Sequence, residues 1–118
     1  MPGISIHVVD VVRGEPAVGM RVEVRAMREG GGALVGAGAI GSDGQVAHAM
    51  TRGDGIAQGV HEVLLHAADY YRAAGIVTSK EPAFLDVVSF RFTVVDPAEH
   101  YHLPFKISPW GLSVWRGR

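Results

Sequence analysis

From His100 to Ile107 the side chains alternate without a break. Tyr101, Leu103, Phe105 and Ile107 form one set, and His100, His102, Pro104 and Lys106 form the other. A period of two over eight residues is the signature of a half-buried strand: one face enters a core while the other, carrying both imidazoles, looks outward. Met20 to Arg28 repeats the pattern, with Met20, Val22, Val24 and Ala26 opposed to Arg21, Glu23 and Arg25. Near the N-terminus Ile4, Ile6 and Val8 oppose Ser5 and His7 within a strand expected over Ile4–Val12. A chain built from such pieces must lay sheet against sheet to hide its apolar faces.

The remaining elements fit that plan. Arg13 to Gly19 is a turn-rich connection broken by Gly14 and Pro16, and Glu29 to Gly32 reads as a loop. A small-residue strand over Ala33–Ile40 is expected to turn at Ser42-Asp43-Gly44 into Gln45–Met50, forming a hairpin. Thr51 to Gly59 is a polar loop. Strands follow over Val60–His66, Val87–Val95, His102–Ile107 and Gly111–Arg116, the last two flanking a Ser108-Pro109-Trp110 turn. Ala67–Ala74 is the only helical stretch, with Gly75 placed to end it. It is too short to stand alone and must dock on a sheet. About eight short strands and one short helix define an all-β sandwich, a single domain over residues 1–118.

Composition narrows the function. A net charge of −1 gives no electrostatic reason to expect nucleic acid or an anionic membrane as partner. With no cysteine, disulfides and thiolate chemistry are excluded. The N-terminus lacks the basic region of a secretory signal and no apolar run is long enough to span a bilayer, so a cytoplasmic location is expected.

Several residue sets could carry chemistry. Gly36 to Gly41 matches a dinucleotide-binding glycine pattern, but a hairpin turn follows where a phosphate-binding helix is needed, so packing of small residues explains it better. His7, His100 and His102 share outward faces. Solvent exposure is the plain reading; a zinc site would require three imidazoles at one vertex, which nothing in the spacing secures. Ser108 or Ser113 could join a triad on paper, without the sequence of a nucleophile elbow. Imidazole acid–base chemistry suits residues that titrate near neutrality. His48, His61 and His66 read as surface or loop residues, Arg13, Arg21, Arg25 and Arg91 as solvated positions, and Trp110 as packing. A site on the outer face of a sandwich is open to water, which weakens its polar contacts. No long insertion supplies a lid, so catalysis there predicts a symmetric oligomer with sites closed by a second subunit.

The His7–Ala17 segment (HVVDVVRGEPA), Ser42-Asp43-Gly44, His66-x-x-Asp-Tyr-Tyr, Asp96–Pro104 (DPAEHYHLP) and Ser108-Pro109-Trp110-Gly111 together resemble the transthyretin-like family, in particular its 5-hydroxyisourate hydrolases. The resemblance covers nearly the whole chain. It implies two four-stranded sheets and a homotetramer, a dimer of dimers with sites at the subunit interface. It also implies hydrolytic opening of a purine-derived ring, a step of urate breakdown, without metal or organic cofactor. His7 and His102 match the family's catalytic histidines, positions at which the hormone-carrying transthyretins differ. By the same resemblance Gln45, Trp115, Arg116 and Arg118 fall at substrate-binding positions. Gln45 stands where the hydrolases have an arginine, and Trp115-Arg116-Gly117-Arg118 stands where they end Tyr-Arg-Gly-Ser. These departures frame two alternatives: a repurposed paralogue acting on another small heterocycle, and a non-catalytic small-molecule binder.

Overall fold

The computed structural model describes residues 2–28, 31–77 and 82–117; Arg118, an expected substrate-binding residue, lies outside them. The strands are β1 (Gly3–Asp10), β2 (Glu15–Pro16), β3 (Arg21–Arg28), β4 (Gly31–Ala39), β5 (Gly59–Leu65), β6 (Val88–Val94), β7 (His100–Ser108) and β8 (Gly111–Val114). A 3₁₀ turn (Ala49–Arg52) precedes β5, and the helix α1 (Ala67–Ala73) follows it. They form two four-stranded sheets, ordered β2-β1-β7-β8 and β4-β3-β5-β6. The sandwich expected from alternation is the one observed.

The apolar sets meet between the sheets. Ile4, Ile6 and Val8 from β1 and Leu103, Phe105 and Ile107 from β7 face Val22, Val24, Val63, Leu65 and Val94 from the second sheet, all buried. Each such side chain stabilises the fold by roughly 1.5–3 kcal/mol relative to exposure. The helix ties the two layers together. Leaving β5 of the second sheet, it sends the Tyr70 hydroxyl to Asp10 Oδ2 at 2.8 Å and the Tyr71 hydroxyl to the Ile107 carbonyl at 3.1 Å, both in the first sheet. Asp10 is fully buried, and its carboxylate also accepts the backbone N–H of Val12 at 3.0 Å. Burial first, then the Asp10 charge, pushes the Tyr71 phenol far above its usual pKa.

Three local expectations fail for identifiable reasons. Gln45–Met50 does not form a hairpin strand. Ile40 pairs with Val46, but Gln45 then bridges His7, and the Val8 N–H bonds the Gly44 carbonyl at 2.9 Å. Because β2 pairs only with Val9 and Asp10, the rest of that β1 edge is open, and this crossing segment covers it. The same segment explains the glycine run: a Cβ at Gly36 would lie 2.6 Å from Met50 Sδ, and one at Gly38 would lie 2.7 Å from Val46 Cγ2. His61 is not a surface residue; it is 1% exposed. It shares the parity of Val63 and Leu65, so its ring enters the core rim beside Phe92 while its Nδ1 meets the Gly59 carbonyl at 3.0 Å. Trp110, expected to pack, is 74% exposed at the β7–β8 turn, leaning on an equally open Phe84.

Candidate active site

The pairing of β1 with β7 is parallel, and its register builds the site. Ser5 lies opposite His102, Gly3 opposite His100, and His7 opposite Pro104. Side chains of one parity therefore share the outer face of the first sheet, bringing residues 5 and 7 beside residues 100 and 102. With strands about 4.8 Å apart and a rise of about 3.3 Å per residue, the His7 and His102 backbones stand roughly 8 Å apart. The two imidazoles reach into the same space from neighbouring strands.

Backbone approaches hold each of them. Gly44, at φ +82°, passes so close to His7 that a Cβ there would lie 2.4 Å from His7 Nε2. Gly117 bridges His102, its N–H bonding the His102 carbonyl at 2.7 Å, and a Cβ there would lie 2.9 Å from His102 Cδ2. Only glycine fits such contacts, and at Gly44 the left-handed backbone adds its own requirement. Behind the rings sits Ser5, 7% exposed, with its hydroxyl 2.7 Å from His102 Nδ1 and 2.8 Å from His100 Nε2. Burial first, then the nearby His7 and His100, lowers the pKa of His102 below the ordinary imidazole value. That shift favours the neutral ring, the state a general base requires.

The other expected residues divide. Gln45 is exposed next to His7, bridged to it through the backbone. Trp115 lies on the same outer face, with Lys106 Nζ 5.7 Å from its ring centre. Arg116 is engaged by other groups. Its guanidinium lies 4.1 Å from the Tyr101 ring centre, 3.3 Å from Glu99 Oε2 and 3.2 Å from the His100 carbonyl, a set of contacts that steers the tail across β7. His7, His100 and His102 do not form a metal cradle: among the described residues no group of three or more His, Asp or Glu lies close enough to hold an ion. Ser108 serves its turn, accepting the Trp110 N–H at 3.2 Å, and Ser113 is an exposed partner of Lys106. His48 caps the 3₁₀ turn through Nδ1, and His66 reaches Glu23 at 3.2 Å.

Ser5 and Gly44 are the site residues that sequence reasoning missed. Ser5 was visible as a lone hydroxyl on the His7 face of β1. Its meeting with His100 and His102 depends on a parallel pairing of the first and seventh strands, which no local pattern encodes.

A two-sheet sandwich presenting acid–base side chains on the outer face of one sheet is the class that this fold and site define. The chain belongs to the HIUase/Transthyretin family, whose model matches residues 4–117. It is 39% identical to the 5-hydroxyisourate hydrolase of Deinococcus radiodurans over 98% of this chain and 96% of that one. It is 38% identical to 5-hydroxyisourate hydrolase 2 of Rhizobium meliloti over 97% and 94% of the two chains. Among solved structures, (S)-allantoin synthase matches 98% of this chain, though only 43% of its own length, with a TM-score of 0.83 and 29% identity. The Klebsiella pneumoniae 5-hydroxyisourate hydrolase covers both chains fully with a TM-score of 0.79; at 24% identity that likeness is one of fold. Along its whole length the chain resembles the hydrolases of the family.

Proposed function

We propose that this protein hydrolyses 5-hydroxyisourate, opening a cyclic amide with histidine acid–base catalysis and no cofactor. The observation that carries the proposal is the convergence of His7 and His102 on one outward face, in a chain so similar to proteins of that activity. His102 takes a proton from water, whose oxygen bonds to the ring carbonyl carbon. As the ring C–N bond breaks, the nitrogen leaves with a proton returned by an imidazolium, and His7 stands where it can share either transfer. The Gln45 side chain, beside His7, bonds an amide edge of the ring, and Trp115 walls the site. Arg116 and Arg118 orient substrate carbonyls; for Arg116 this requires release from Glu99.

The site is open on the outer face of the first sheet, and water there weakens each polar contact with a substrate. A second copy laid against this face closes it, so the working form is a homotetramer, a dimer of dimers with the catalytic faces inside. Its location is cytoplasmic. Sedimentation at micromolar concentration is expected to show four chains; a monomer with full activity would remove this part of the proposal.

The decisive test is spectrophotometric. 5-Hydroxyisourate is generated from urate, and its decay is followed with and without the protein. Acceleration supports the proposal, and an unchanged decay rate sinks it. A second reading, action on a different small heterocycle, is favoured by one observation: Gln45 is bridged to His7 and Trp115 shares the outer face of the first sheet, where the resemblance calls for arginine and tyrosine. Replacing such an arginine removes a planar donor fork and its charge, a loss of roughly 3 kcal/mol in transition-state stabilisation. On that reading Gln45→Arg with Trp115→Tyr raises 5-hydroxyisourate hydrolysis by about tenfold or more. No gain from the double variant removes it.

A further inference from the structure

A hydroxyl group has one proton. Ser5, almost fully buried between Ile4 and Ile6 of β1, directs its oxygen to the outer face, where the parallel register sets it between two imidazoles of β7. Its distances to His102 Nδ1 and His100 Nε2, 2.7 and 2.8 Å, are both those of good hydrogen bonds. Ser5 can donate to only one ring, so the other must donate to it, and the protonation patterns of His100 and His102 are coupled. If His102 carries its proton on Nδ1, it donates to Ser5, Ser5 donates to His100 Nε2, and His102 Nε2 keeps a free lone pair. The reverse order places a proton on His102 Nε2 and makes it useless as a base.

We infer that Ser5 and His100 are positioning residues that hold His102 with its Nδ1 protonated and its Nε2 free, and that together they form a relay for the proton His102 acquires. This deepens the catalytic role proposed above for His102 and rests on it. When His102 Nε2 takes a proton from water, the ring becomes an imidazolium. Its Nδ1 proton passes to Ser5 Oγ while the Ser5 proton passes to His100 Nε2. His102 is then neutral with a proton on Nε2, and His100 is the cation. Running backwards, the same shifts restore the imidazolium at His102 for donation to the leaving nitrogen. The positive charge thus has a second home, two residues further along β7 from His7, and no oxidant, metal or second reactant is needed.

The geometry is specific to this cluster. His7 has no such hydroxyl partner; it is held by the Gly44 backbone. The Arg116 guanidinium bonds the His100 carbonyl at 3.2 Å, anchoring the start of β7.

The test uses the intact protein with ¹⁵N-labelled histidine. Nitrogen shifts of His102, assigned by their loss in His102→Gln, report which ring nitrogen carries the proton. In the unaltered protein the Nδ1–H form is expected to predominate. In Ser5→Ala the Nε2–H form, preferred by free imidazole, takes over, while the backbone amide spectrum elsewhere stays in place. Ser5→Thr retains the hydroxyl and restores the original pattern. In the hydrolysis assay Ser5→Ala lowers kcat by about tenfold with KM within about threefold, Ser5→Thr recovers most of it, and His100→Gln, which can bond but not carry the proton, falls as Ser5→Ala does. An Nε2–H pattern in the unaltered protein, or unchanged His102 shifts in Ser5→Ala, overturns the positioning. A His100→Gln protein with full kcat overturns the relay. Because the nitrogen shifts need no substrate, they decide the positioning even if 5-hydroxyisourate proves not to be hydrolysed.

Discussion

The two sheets carry outer faces of opposite character. On the second sheet the outward side chains neutralise one another: Arg25 meets Glu23 at 3.2 Å, Arg91 meets Glu62 at 2.7 Å, and His66 reaches Glu23 at 3.2 Å. Such pairs are content in water and each contributes little to stability. On the first sheet the outward face near the strand crossing holds His7, His100, His102 and Ser5, with glycine backbones pressed against two of the rings. No carboxylate pairs with these imidazoles among the described residues. A face of imidazoles and a hydroxyl bonded to each other is a poor solvated surface and a good reaction surface. Equal exposure to solvent in a sheet therefore does not imply equal purpose; the partners chosen by the side chains separate the two.

The sharpest way to break this contrast is to remove its centre. His102→Ala is expected to lower the rate of 5-hydroxyisourate hydrolysis by at least a hundredfold, the scale of general-base assistance, with the fold kept. A rate close to the original would show that the first-sheet face is as inert as the second. Next in size is Gly44→Ala. The added methyl collides with His7 Nε2 and the backbone at φ +82° disfavours it, so kcat should fall by about tenfold and stability by about 1 kcal/mol. Denaturant unfolding and steady-state kinetics measure the two parts; a variant unchanged in both would mean that His7 is not held by this contact.

Acid separates the two faces by pH window. In the fold the pKa of His102 is lowered by burial first, then by His7 and His100. A depressed value means that the neutral form is favoured by folding, so this stability is complete above the unfolded imidazole value, about 6.5, and is lost as pH falls through the folded one. Glu23 is also depressed, chiefly by its hydrogen bond to His66, with Arg25 adding. Its contribution is complete above about 4.3 and is lost at lower pH. Thermal melts should therefore show His102→Gln diverging from the parent below about pH 6.5, whereas Glu23→Gln is less stable than the parent above about pH 4.3 and converges with it at lower pH. The other titratable and charged groups near His102 are His7, His100 and the Arg116–Glu99 pair, and the acid limb of kcat/KM should fall below the ordinary histidine value. Coincident windows would erase the distinction. The smallest effect belongs to the second sheet: Arg91→Ala, with its side chain 64% exposed, should change stability by less than about 0.5 kcal/mol and activity by less than twofold.

Most of the fold was legible because alternation is local. Each strand announces its buried parity through its own neighbours, as in Tyr101, Leu103, Phe105 and Ile107, and α1 announces itself through Ala67–Ala74 and the following glycine. The misses have two causes. The segment after Gly44 looked like the second arm of a hairpin, but it satisfies the open edge of β1, a demand set by strands distant in sequence. His61 has the polarity of a surface residue but shares the parity of Val63 and Leu65, and position in the strand outweighs polarity. For the site, His7 and His102 are legible as outward residues and by resemblance; Gln45 is bridged to His7, and Trp115 lies by Lys106 on the same outer face. Arg116 is engaged by Glu99 and the His100 carbonyl, partners that its own sequence neighbourhood does not announce.

By itself the sequence determined which face of each strand is buried, the number of layers, and the histidine-rich character of one outward face, because a pleated strand turns hydrophobic order directly into sidedness. Only the tertiary structure decided who meets whom on that face. A parallel pairing between β1 and β7 joins residues about a hundred positions apart, and its register alone places the Ser5 hydroxyl between His100 and His102. A slip of one residue would keep the same alternation yet turn Ser5 to the core. Function here depends on that register, which is a property of two strands together and of neither alone.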